Sequence, residues 1–311
     1  MQIQDSNKTN DYLNKGTLDK LVDKTVFHNE ADNPTASVII VTYKTDISLL
    51  ERSIKALTDR AESTHEILLV ENSDESRLQN FIQNYNVSYI KLKRNYGLNT
   101  GRNVGINYSK GHILIFLDDD AIPGENFIDE HVRAHRSNGI LALRGKCLPR
   151  TKSIFNHFAF HYDLGNDIFP YMVNLEGNSS FKRETLIEVG GFNTALEGAG
   201  GHEGIEITKR IIERTNDRSS VIYWPGAVIY HDYSKSLLHY LKKQIRHQNH
   251  SKYVSTRHPD FINFLRSYKP ISTKDERELD SITRTKLDII RRINRHALKP
   301  NSIINRMVNY L

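Results

Sequence analysis

The sequence predicts an α/β protein in which a mostly parallel sheet is flanked by helices and followed by a basic helical C-terminal extension. Short apolar runs rich in β-branched residues indicate strands that are buried on both faces. Between these runs, apolar residues recur at helical spacing. Strands that alternate with helices form βαβ units, whose strands are parallel. In chain order the predicted segments are strand 37–41, helix 49–57, strand 66–70, helix 78–85, strand 87–92, helix 101–108 and strand 113–117.

Pattern and charge divide the chain into three regions. Residues 1–35 show no clean period, and we expect a loose N-terminal extension with one short helix at 18–22. Residues 36–232 hold the alternating segments and form the predicted α/β domain. Residues 233–311 show helical patterns and contain 17 Lys and Arg against 6 Asp and Glu, a net charge of +11, whereas residues 1–232 carry a net charge of −5. A basic C-terminal region of this kind indicates an anionic partner or a solvated helical face.

Composition narrows the class of protein. Of the 311 residues, 38% are hydrophobic and 26% are charged, which is ordinary for a soluble globular protein. The single cysteine, Cys147, excludes an intramolecular disulfide framework and a cysteine-based zinc site. Residues 1–24 lack the apolar stretch of a signal peptide, and no apolar run approaches the ~20 residues of a membrane span. We therefore expect a cytoplasmic protein.

Polar residues follow three of the predicted strands. Thr42 and Tyr43 follow the first strand, Glu71 and Asn72 the second, and residues 118–120, which are all aspartates, the fourth. In an open parallel sheet, ligands bind outside the carboxyl ends of the strands. Three adjacent carboxylates repel one another and need a compensating cation. Because Mn²⁺ and Mg²⁺ take oxygen ligands and leave room for substrate phosphates, we predict a divalent metal site at this edge.

Several short motifs, taken in their order along the chain, resemble those of family 2 glycosyltransferases. The resemblance covers about residues 36–250, and the order of the motifs makes it specific although each motif alone is weak. The resembling segments are 38–44 (VIIVTYK), 94–105 (RNYGLNTGRNVG), 116–120 (FLDDD), 177–181 (GNSSF), 190–192 (GGF), 200–203 (GGHE) and His231 after a strand.

The resemblance implies the GT-A fold, which is Rossmann-like, and metal-dependent transfer of a sugar from a nucleotide-sugar donor, with UDP as the expected nucleotide. An aromatic face at Tyr43 suits a planar nucleobase. Glu71 stands where the family usually has an aspartate that binds the base or ribose, and the planar guanidinium of Arg102 suits the diphosphate. The implied nucleotide-sugar-binding residues are Val41, Tyr43, Glu71, Arg102, Asp118 and Asp119, and the implied ligands of Mn²⁺ or Mg²⁺ are Asp120 and His231.

Glu203 is the candidate catalytic base. An inverting transfer needs a carboxylate that removes the proton of the acceptor hydroxyl while its oxygen attacks the anomeric carbon. A Gly-rich loop, residues 197–201, leads into the predicted helix that begins near Glu203. The family usually has a Glu-Asp pair here with the aspartate as the base, whereas this chain has Glu203-Gly204. The base is therefore Glu203 or Glu206, or the acceptor is activated differently.

Two other functions compete with sugar transfer. A nucleotidyltransferase of related architecture would also use aspartates at a strand end with a metal, but residues 42–44 (TYK) are not a Gly-rich phosphate loop. A non-catalytic module that binds nucleotides or polyanions would account for the basic region and for Gly204. The acceptor stays open among glycan, lipid-linked, protein and small-molecule classes. The basic region predicts peripheral contact with an anionic membrane, whereas nucleic acid is a weaker candidate.

Overall fold

The computed structural model describes residues 12–27, 33–58, 61–137, 139–196, 202–257, 259–268, 279–299 and 302–310. Ten strands are present in this part of the chain: β1 Val22–Val26, β2 Ala36–Thr42, β3 His65–Glu71, β4 Ser88–Leu92, β5 Ile113–Asp118, β6 Ile122–Pro123, β7 Ala142–Leu148, β8 Phe169–Pro170, β9 Asn178–Lys182 and β10 Val221–Tyr230. The helices are α1 Lys15–Asp19, α2 Ile47–Thr58, α3 Leu98–Tyr108, α4 Phe127–Arg136, α5 Arg183–Glu188, α6 Glu203–Thr215, α7 Leu237–Arg257, α8 Phe261–Arg266, α9 Ser281–Ala297 and α10 Ile303–Tyr310.

All ten strands belong to one sheet. Its order is β1-β4-β3-β2-β5-β9-β7-β10-β6, with β8 paired to β10. The four strands β4, β3, β2 and β5 are parallel neighbours, and β7 is parallel to β10. β9 runs antiparallel to both β5 and β7, between the two parallel groups. The carboxyl ends of β2, β3 and β5 therefore meet at one edge, as the predicted βαβ units require.

Helices cover both faces of this sheet. One face of β2, β3 and β5 packs against apolar residues of α2, α4 and α7, such as Leu50, Val132 and Leu241. The other face packs against α3, α5 and α6 through residues such as Phe116, Phe181 and Ile207. The apolar runs of β2, β3 and β5 are buried on both faces because every face of these strands meets a helix.

The C-terminal helices are part of the same core. Tyr240, Leu241 and Ile245 of α7 and Ile290 of α9 are buried in the cluster that covers β2 and β5. The boundary that charge suggests at residue 233 therefore marks a change of composition and does not separate two cores. None of the helices in the described ranges is long and apolar enough to cross a membrane.

The N-terminal region differs from the prediction in its described part. Residues 12–27 are not loose: α1 precedes β1, and β1 adds an antiparallel edge strand to β4. The predicted helix at 18–22 lies instead at Lys15–Asp19, where Asn14 caps it. Residues 23–25 in the middle of β1 are exposed and only Val22 and Val26 at its ends are partly buried, so its sequence lacks the apolar run that marks a buried strand. Residues 1–11 and 28–32 of the predicted extension lie outside the described residues.

Three other segments differ from the prediction. The predicted helix 78–85 is a single 3₁₀ turn, Phe81–Asn84, between β3 and β4. Residues 142–148 form the buried strand β7, although Arg144, Gly145 and Lys146 interrupt its apolar pattern. Residues on both sides of Pro225-Gly226 form one strand, β10, with a register irregularity between Tyr223 and Val228. Pro225 lacks a backbone N–H for the ladder, so a bulge allows the strand to continue.

Candidate active site

A cavity of about 820 Å³ opens at the carboxyl edge of β2, β3 and β5. Residues from seven stretches of the chain line it: the end of β2, the residue after β3, the loop before α3 with the first turn of α3, the end of β5, residues 194–196, the residues after β10, and α7. The lining residues include Val41, Tyr43, Asn72, Asp118, Asp119, Asp120 and His231. The edge that the strand order predicts as a binding site is therefore a real concavity, and it gathers polar groups from distant parts of the sequence.

Asp118 is held at the end of β5 by two neighbours. Arg102 of α3 lies beneath it, with Nη2 3.8 Å from Asp118 Oδ1, and the guanidinium stacks over the ring of Phe192 at 5.2 Å. Gly177 lies against the carboxylate, and a Cβ at this position would come within 2.0 Å of Asp118 Cγ. A glycine is therefore needed at 177 for the backbone before β9 to pass close to Asp118.

Asp119 points away from Asp118 toward the end of β2. The side chains of Thr42 and Thr45 donate hydrogen bonds to its carboxylate. Burial, together with the charge of Asp120, raises the pKa of Asp119 to about 7. Burial, with the charges of Asp120 and Asp118 adding to it, thus lets Asp119 bind a proton near neutral pH.

Asp120 is surrounded by cations. Its Oδ1 lies 3.0 Å from His231 Nε2 and its Oδ2 lies 3.3 Å from Lys235 Nζ. Arg150 donates to its backbone carbonyl at 2.7 Å. Although burial opposes ionisation, the hydrogen bond and charge of His231 and the charge of Lys235 lower the pKa of Asp120 well below its usual range. Asp120 is therefore ionised at neutral pH.

Asp120 and His231 offer two adjacent ligands of the kinds that Mn²⁺ accepts, a carboxylate oxygen and an imidazole nitrogen. No group of three or more His, Cys, Asp or Glu side chains able to hold a metal is present in the described ranges. These two residues would therefore hold a cation only together with other ligands. Phosphate oxygens of a substrate are the ordinary remaining ligands of such a cation, so the residues fit a metal that arrives with its substrate.

The nucleotide side of the cavity is built around Asn72. Its Oδ1 accepts a hydrogen bond from the Tyr96 N–H at 2.8 Å, and its Nδ2 donates to the Gly97 carbonyl at 2.9 Å. These two bonds fix residues 94–97, which line the cavity. Tyr43 lies on the same side with 47% of its surface exposed, and Val41 lies beside it. An exposed aromatic ring beside a fixed loop is suited to a planar ligand.

Two of the predicted nucleotide-binding residues lie elsewhere. Glu71 is turned into the protein, where the Arg77 N–H donates to its Oε1 at 2.8 Å and the Tyr89 hydroxyl donates to its Oε2. Arg102 is only 4% exposed and contacts Asp118 and Asn99. Neither residue lines the cavity. In this structure Asn72, and not Glu71, contributes the side chain after β3 to the cavity wall, and Arg102 contacts Asp118 outside that wall. The roles of Glu71 and Arg102 in nucleotide binding stay predictions.

Glu203 begins α6, is 1% exposed and does not itself line the cavity. Its neighbours are Glu176, Arg246 and His250, and Oε1 lies 4.0 Å from His250 Nδ1. Burial and the adjacent charge of Glu203 raise the pKa of Glu176 to about 7, so Glu176 binds a proton near neutral pH. Glu206 pairs with Arg210 at 2.7 Å, which favours Glu203 over Glu206 as the catalytic carboxylate. The Gly-rich loop 197–201 lies outside the described residues.

The departure at Gly204 has a steric reason. The Gly204 N–H donates to Glu176 Oε1 at 2.7 Å, and a Cβ at 204 would lie 2.6 Å from the Val173 carbonyl oxygen and 2.9 Å from Glu176 Cγ. An aspartate at 204 would therefore collide with the segment that carries Glu176. The carboxylate of Glu176 approaches the place that the expected aspartate would need, and no sequence motif had marked Glu176.

Helix α7 adds residues that the motif order had not singled out. His239, Lys243 and Arg246 line the cavity, although the sequence placed them in the basic C-terminal region. A helical pattern identifies α7 but does not say which of its basic residues turn inward. That information requires the position of the helix relative to the sheet.

The glycosyl transferase family 2 model matches residues 37–190. Two curated relatives extend this finding. The chain is 27% identical over 124 residues to the uncharacterized glycosyltransferase YfnE of Bacillus subtilis, a match that covers 39% of this chain and 32% of the relative. It is 26% identical over 216 residues to a glucosyl-dolichyl phosphate glucuronosyltransferase of Haloferax volcanii, covering 63% of this chain and 68% of the relative. The chain thus spans about a third of the length of the first of these relatives.

A solved structure shares the fold. A crystal structure of GalNAc-T7 with UDP, GalNAc and Mn²⁺ superposes with a TM-score of 0.52 at 18% identity, covering 70% of this chain and 48% of that chain. The likeness confirms the predicted GT-A arrangement of a central sheet flanked by helices.

Because Asn72 lines the cavity and Glu71 does not, substitutions at the two positions should change different properties of the protein. Asn72→Ala should weaken binding of UDP with Mn²⁺ about tenfold, because loop 94–97 loses its two hydrogen bonds to the Asn72 side chain. Glu71→Gln should lower the free energy of unfolding by about 1–3 kcal/mol and leave UDP affinity within about twofold. Titration calorimetry and urea unfolding measure the two quantities. A loss of UDP affinity in Glu71→Gln equal to that in Asn72→Ala would return Glu71 to the nucleotide site.

Proposed function

Because residues 37–190 belong to glycosyl transferase family 2, we propose that this chain transfers a sugar from a nucleotide-sugar donor, a UDP-sugar, to an acceptor hydroxyl. The observation that carries the proposal is the cavity at the carboxyl edge of β2, β3 and β5. It brings an exposed aromatic ring, a fixed loop, three carboxylates and a histidine to one place. The donor's base lies beside Tyr43, Val41 and Asn72, and its ribose lies near Asp118 and Asp119.

Asp120 and His231 hold Mn²⁺ or Mg²⁺ in this proposal, with donor phosphates as the remaining ligands. A bound cation supplies charge stabilisation for the nucleoside diphosphate as it leaves. Lys235 now contacts Asp120 at 3.3 Å and, being 59% exposed, is free to swing toward the diphosphate. Asp119, whose pKa is about 7, keeps the summed negative charge of the site low when no cation is bound.

Glu203 accepts the proton of the acceptor hydroxyl in the proposed inverting step. The acceptor oxygen forms a bond to the anomeric carbon while the bond from that carbon to the phosphate oxygen breaks, and the leaving diphosphate takes the electron pair. Glu176 beside Glu203 has a pKa of about 7, so it binds a proton near neutral pH and limits the negative charge next to the proposed base. Arg246 neighbours Glu203 and lines the cavity, so it connects the carboxylate pair to the space an acceptor would occupy.

Two rival functions have less support. A nucleotidyltransferase would need a loop that cradles phosphates after β2, but residues 42–46 form an exposed turn leading to α2 in which Thr42 and Thr45 bond Asp119. A non-catalytic binding module would not need an acidic pair such as Glu176 and Glu203 next to the cavity, since buried like charges lower stability.

The C-terminal helices support peripheral contact of a cytoplasmic protein with an anionic membrane. On α9, Ile282 and Ile289 are seven residues apart on one face and are 66% and 52% exposed. On α10, Ile303 and Met307 are 77% and 58% exposed. Exposed basic residues accompany them, namely Arg284, Lys286, Arg292, Arg295 and Arg306. Apolar side chains beside arginines and lysines suit the surface of an anionic bilayer.

Asp120→Asn should keep the fold and lower metal-dependent donor turnover at least about 100-fold, because the site loses the carboxylate that His231 and Lys235 keep ionised. The measurement is release of nucleoside diphosphate from a panel of UDP- and GDP-sugars with Mn²⁺, without acceptor. Asp288→Asn on the exposed face of α9 is the matched control. Turnover near that of the control would exclude Asp120 as a metal ligand.

Glu203→Gln should lower donor hydrolysis about 100-fold and leave UDP affinity within about twofold, because the proposed base faces the acceptor side and does not contact the nucleotide. NMR of the released sugar, read before mutarotation, should show an anomeric configuration opposite to that of the donor. Glu206→Gln is the control, since its carboxylate is occupied by Arg210. A retained configuration would remove the need for a base and reassign Glu203.

Substitution of the exposed apolar or basic residues of α9 should weaken vesicle binding. The double substitution Ile282→Ser and Ile289→Ser, and separately Arg284→Gln with Arg292→Gln, should each weaken binding to phosphatidylglycerol-containing vesicles about tenfold or more. Ile168→Ser, at a residue 53% exposed in another part of the chain, is the control. Truncation is unsuitable because α9 is packed in the core. Equal sedimentation of all variants with vesicles would show that this face is only solvated.

A further inference from the structure

Helix α7 presents a row of one histidine and two cationic side chains to the cavity. His239, Lys243 and Arg246 are separated by four and three residues, which places them on one face of the helix. All three line the cavity, together with Leu196 and Thr194 from the segment before the Gly-rich loop. The neighbouring Lys242 does not line it.

Lys243 and Arg246 form no ion pair with a carboxylate in the ranges that the structure describes, although Glu203 is a charged neighbour of Arg246. Lys243 Nζ lies 3.4 Å from the Tyr233 carbonyl oxygen and 4.0 Å from the centre of the Tyr233 ring. Among the same described residues, the buried Arg246 Nε has no hydrogen-bond partner. Burial lowers the pKa of both side chains, which expresses the cost of removing their charges from water.

Several other buried cations of the protein are satisfied. Arg144 donates to the carbonyls of Gly145, His161 and Tyr162, and Arg210 pairs with Glu206 and donates to two more carbonyls. Lys209 pairs with Glu213 and Asp260. Arg183 Nε is buried without a hydrogen-bond partner among the described residues, as Arg246 Nε is, but Arg183 does not line the cavity. Lys243 and Arg246 are thus cations that line the cavity without ion-pairing to its carboxylates, and such cations are placed to bind an anionic ligand.

The two cations face different halves of the cavity. The carboxylates that act on Lys243 are Asp118, Asp120 and Glu176, whereas the carboxylate that acts on Arg246 is Glu203. The donor diphosphate of the proposed function lies beside Asp120, so it reaches the Lys243 end of the row. Arg246 stands beside the proposed base, where the acceptor must bring its hydroxyl.

We propose that Arg246, assisted by Lys243, binds an oxyanion carried by the acceptor, so that the acceptor class is a hydroxyl compound with a nearby phosphate or carboxylate. The guanidinium is suited to this task because it binds such groups with two parallel hydrogen bonds. This inference rests on the proposed sugar transfer and assigns the charge of its acceptor.

The test uses the full chain with UDP and Mn²⁺ bound, so that the diphosphate site is filled. Phenyl phosphate, benzoate and uncharged benzyl alcohol are titrated calorimetrically into this complex. We expect one of the two anions to bind and benzyl alcohol not to bind, and the better anion identifies phosphate or carboxylate. Arg246→Gln should weaken anion binding about tenfold or more, Arg246→Lys should weaken it less, and Lys242→Gln on the outer side of α7 should leave it unchanged.

Each other outcome decides against the proposal. If neither anion binds to the UDP complex, or if benzyl alcohol binds equally well, the acceptor charge is wrongly assigned. If Arg246→Gln and Lys243→Gln weaken UDP binding as much as anion binding, the row belongs to the donor diphosphate. Failure of the wild-type protein to bind UDP with Mn²⁺ is a separate result, which would contradict the proposed function itself. Thermal unfolding of each variant shows that the folded protein was compared, and Lys243→Gln keeps the test open if Arg246→Gln does not fold.

Discussion

Mutual repulsion of three adjacent carboxylates at the end of β5 is the constraint around which the site is built. The fold answers it with a different solution at each residue. Arg102 forms an ion pair with Asp118. Asp119 interacts with threonine hydroxyls and has a raised pKa, and the side chains of His231 and Lys235 contact the carboxylate of Asp120. These solutions use groups from α3, the end of β2 and the segment after β10. The carboxylates therefore contact elements that are far apart in sequence. The three aspartates can lie side by side only when the sheet brings these elements to the end of β5.

The short antiparallel strand β9 connects this acidic edge to the opposite side of the cavity. Gly177 allows close approach to Asp118, and Glu176, one residue earlier, accepts the Gly204 N–H at the start of α6. One residue later, Asn178 donates to the Lys146 and Ala227 carbonyls of β7 and β10. Three consecutive residues, 176–178, thus fix the acidic edge, the carboxylate pair and the sheet register together. Their close packing explains why glycine, and not the expected aspartate, follows Glu203.

The sequence carried enough information for the βαβ half of the fold, because strands buried on both faces and amphipathic helices have strong periodic signals. It also located Asp118 to Asp120 at the correct edge. It could not find β1 or β7, since the middle of β1 is exposed and β7 contains the buried cations Arg144 and Lys146, which hydrogen bonds satisfy only in the folded protein. The side-chain directions of Glu71 and Arg102 could not be predicted for a related reason. Position after a strand says that a residue is near the edge, but the direction of its side chain depends on partners such as Tyr89 and Asp118.

Charge counting treated residues 233–311 as one basic region, whereas the phase of each helix divides that charge into two kinds. In α7 the buried stripe of Tyr240, Leu241 and Ile245 sets Lys243 and Arg246 beside the cavity. In α9 the buried residues Leu287 and Ile290 leave the arginines in solvent. Exposed charges are screened over ~8 Å at physiological ionic strength, while charges in a desolvated wall are screened far less. Salt should therefore weaken contacts made by α9 before it weakens anion binding beside α7. The cations of α7 and those of α9 can therefore bind different partners, because the packing of each helix against the sheet determines which of its cations are exposed to solvent.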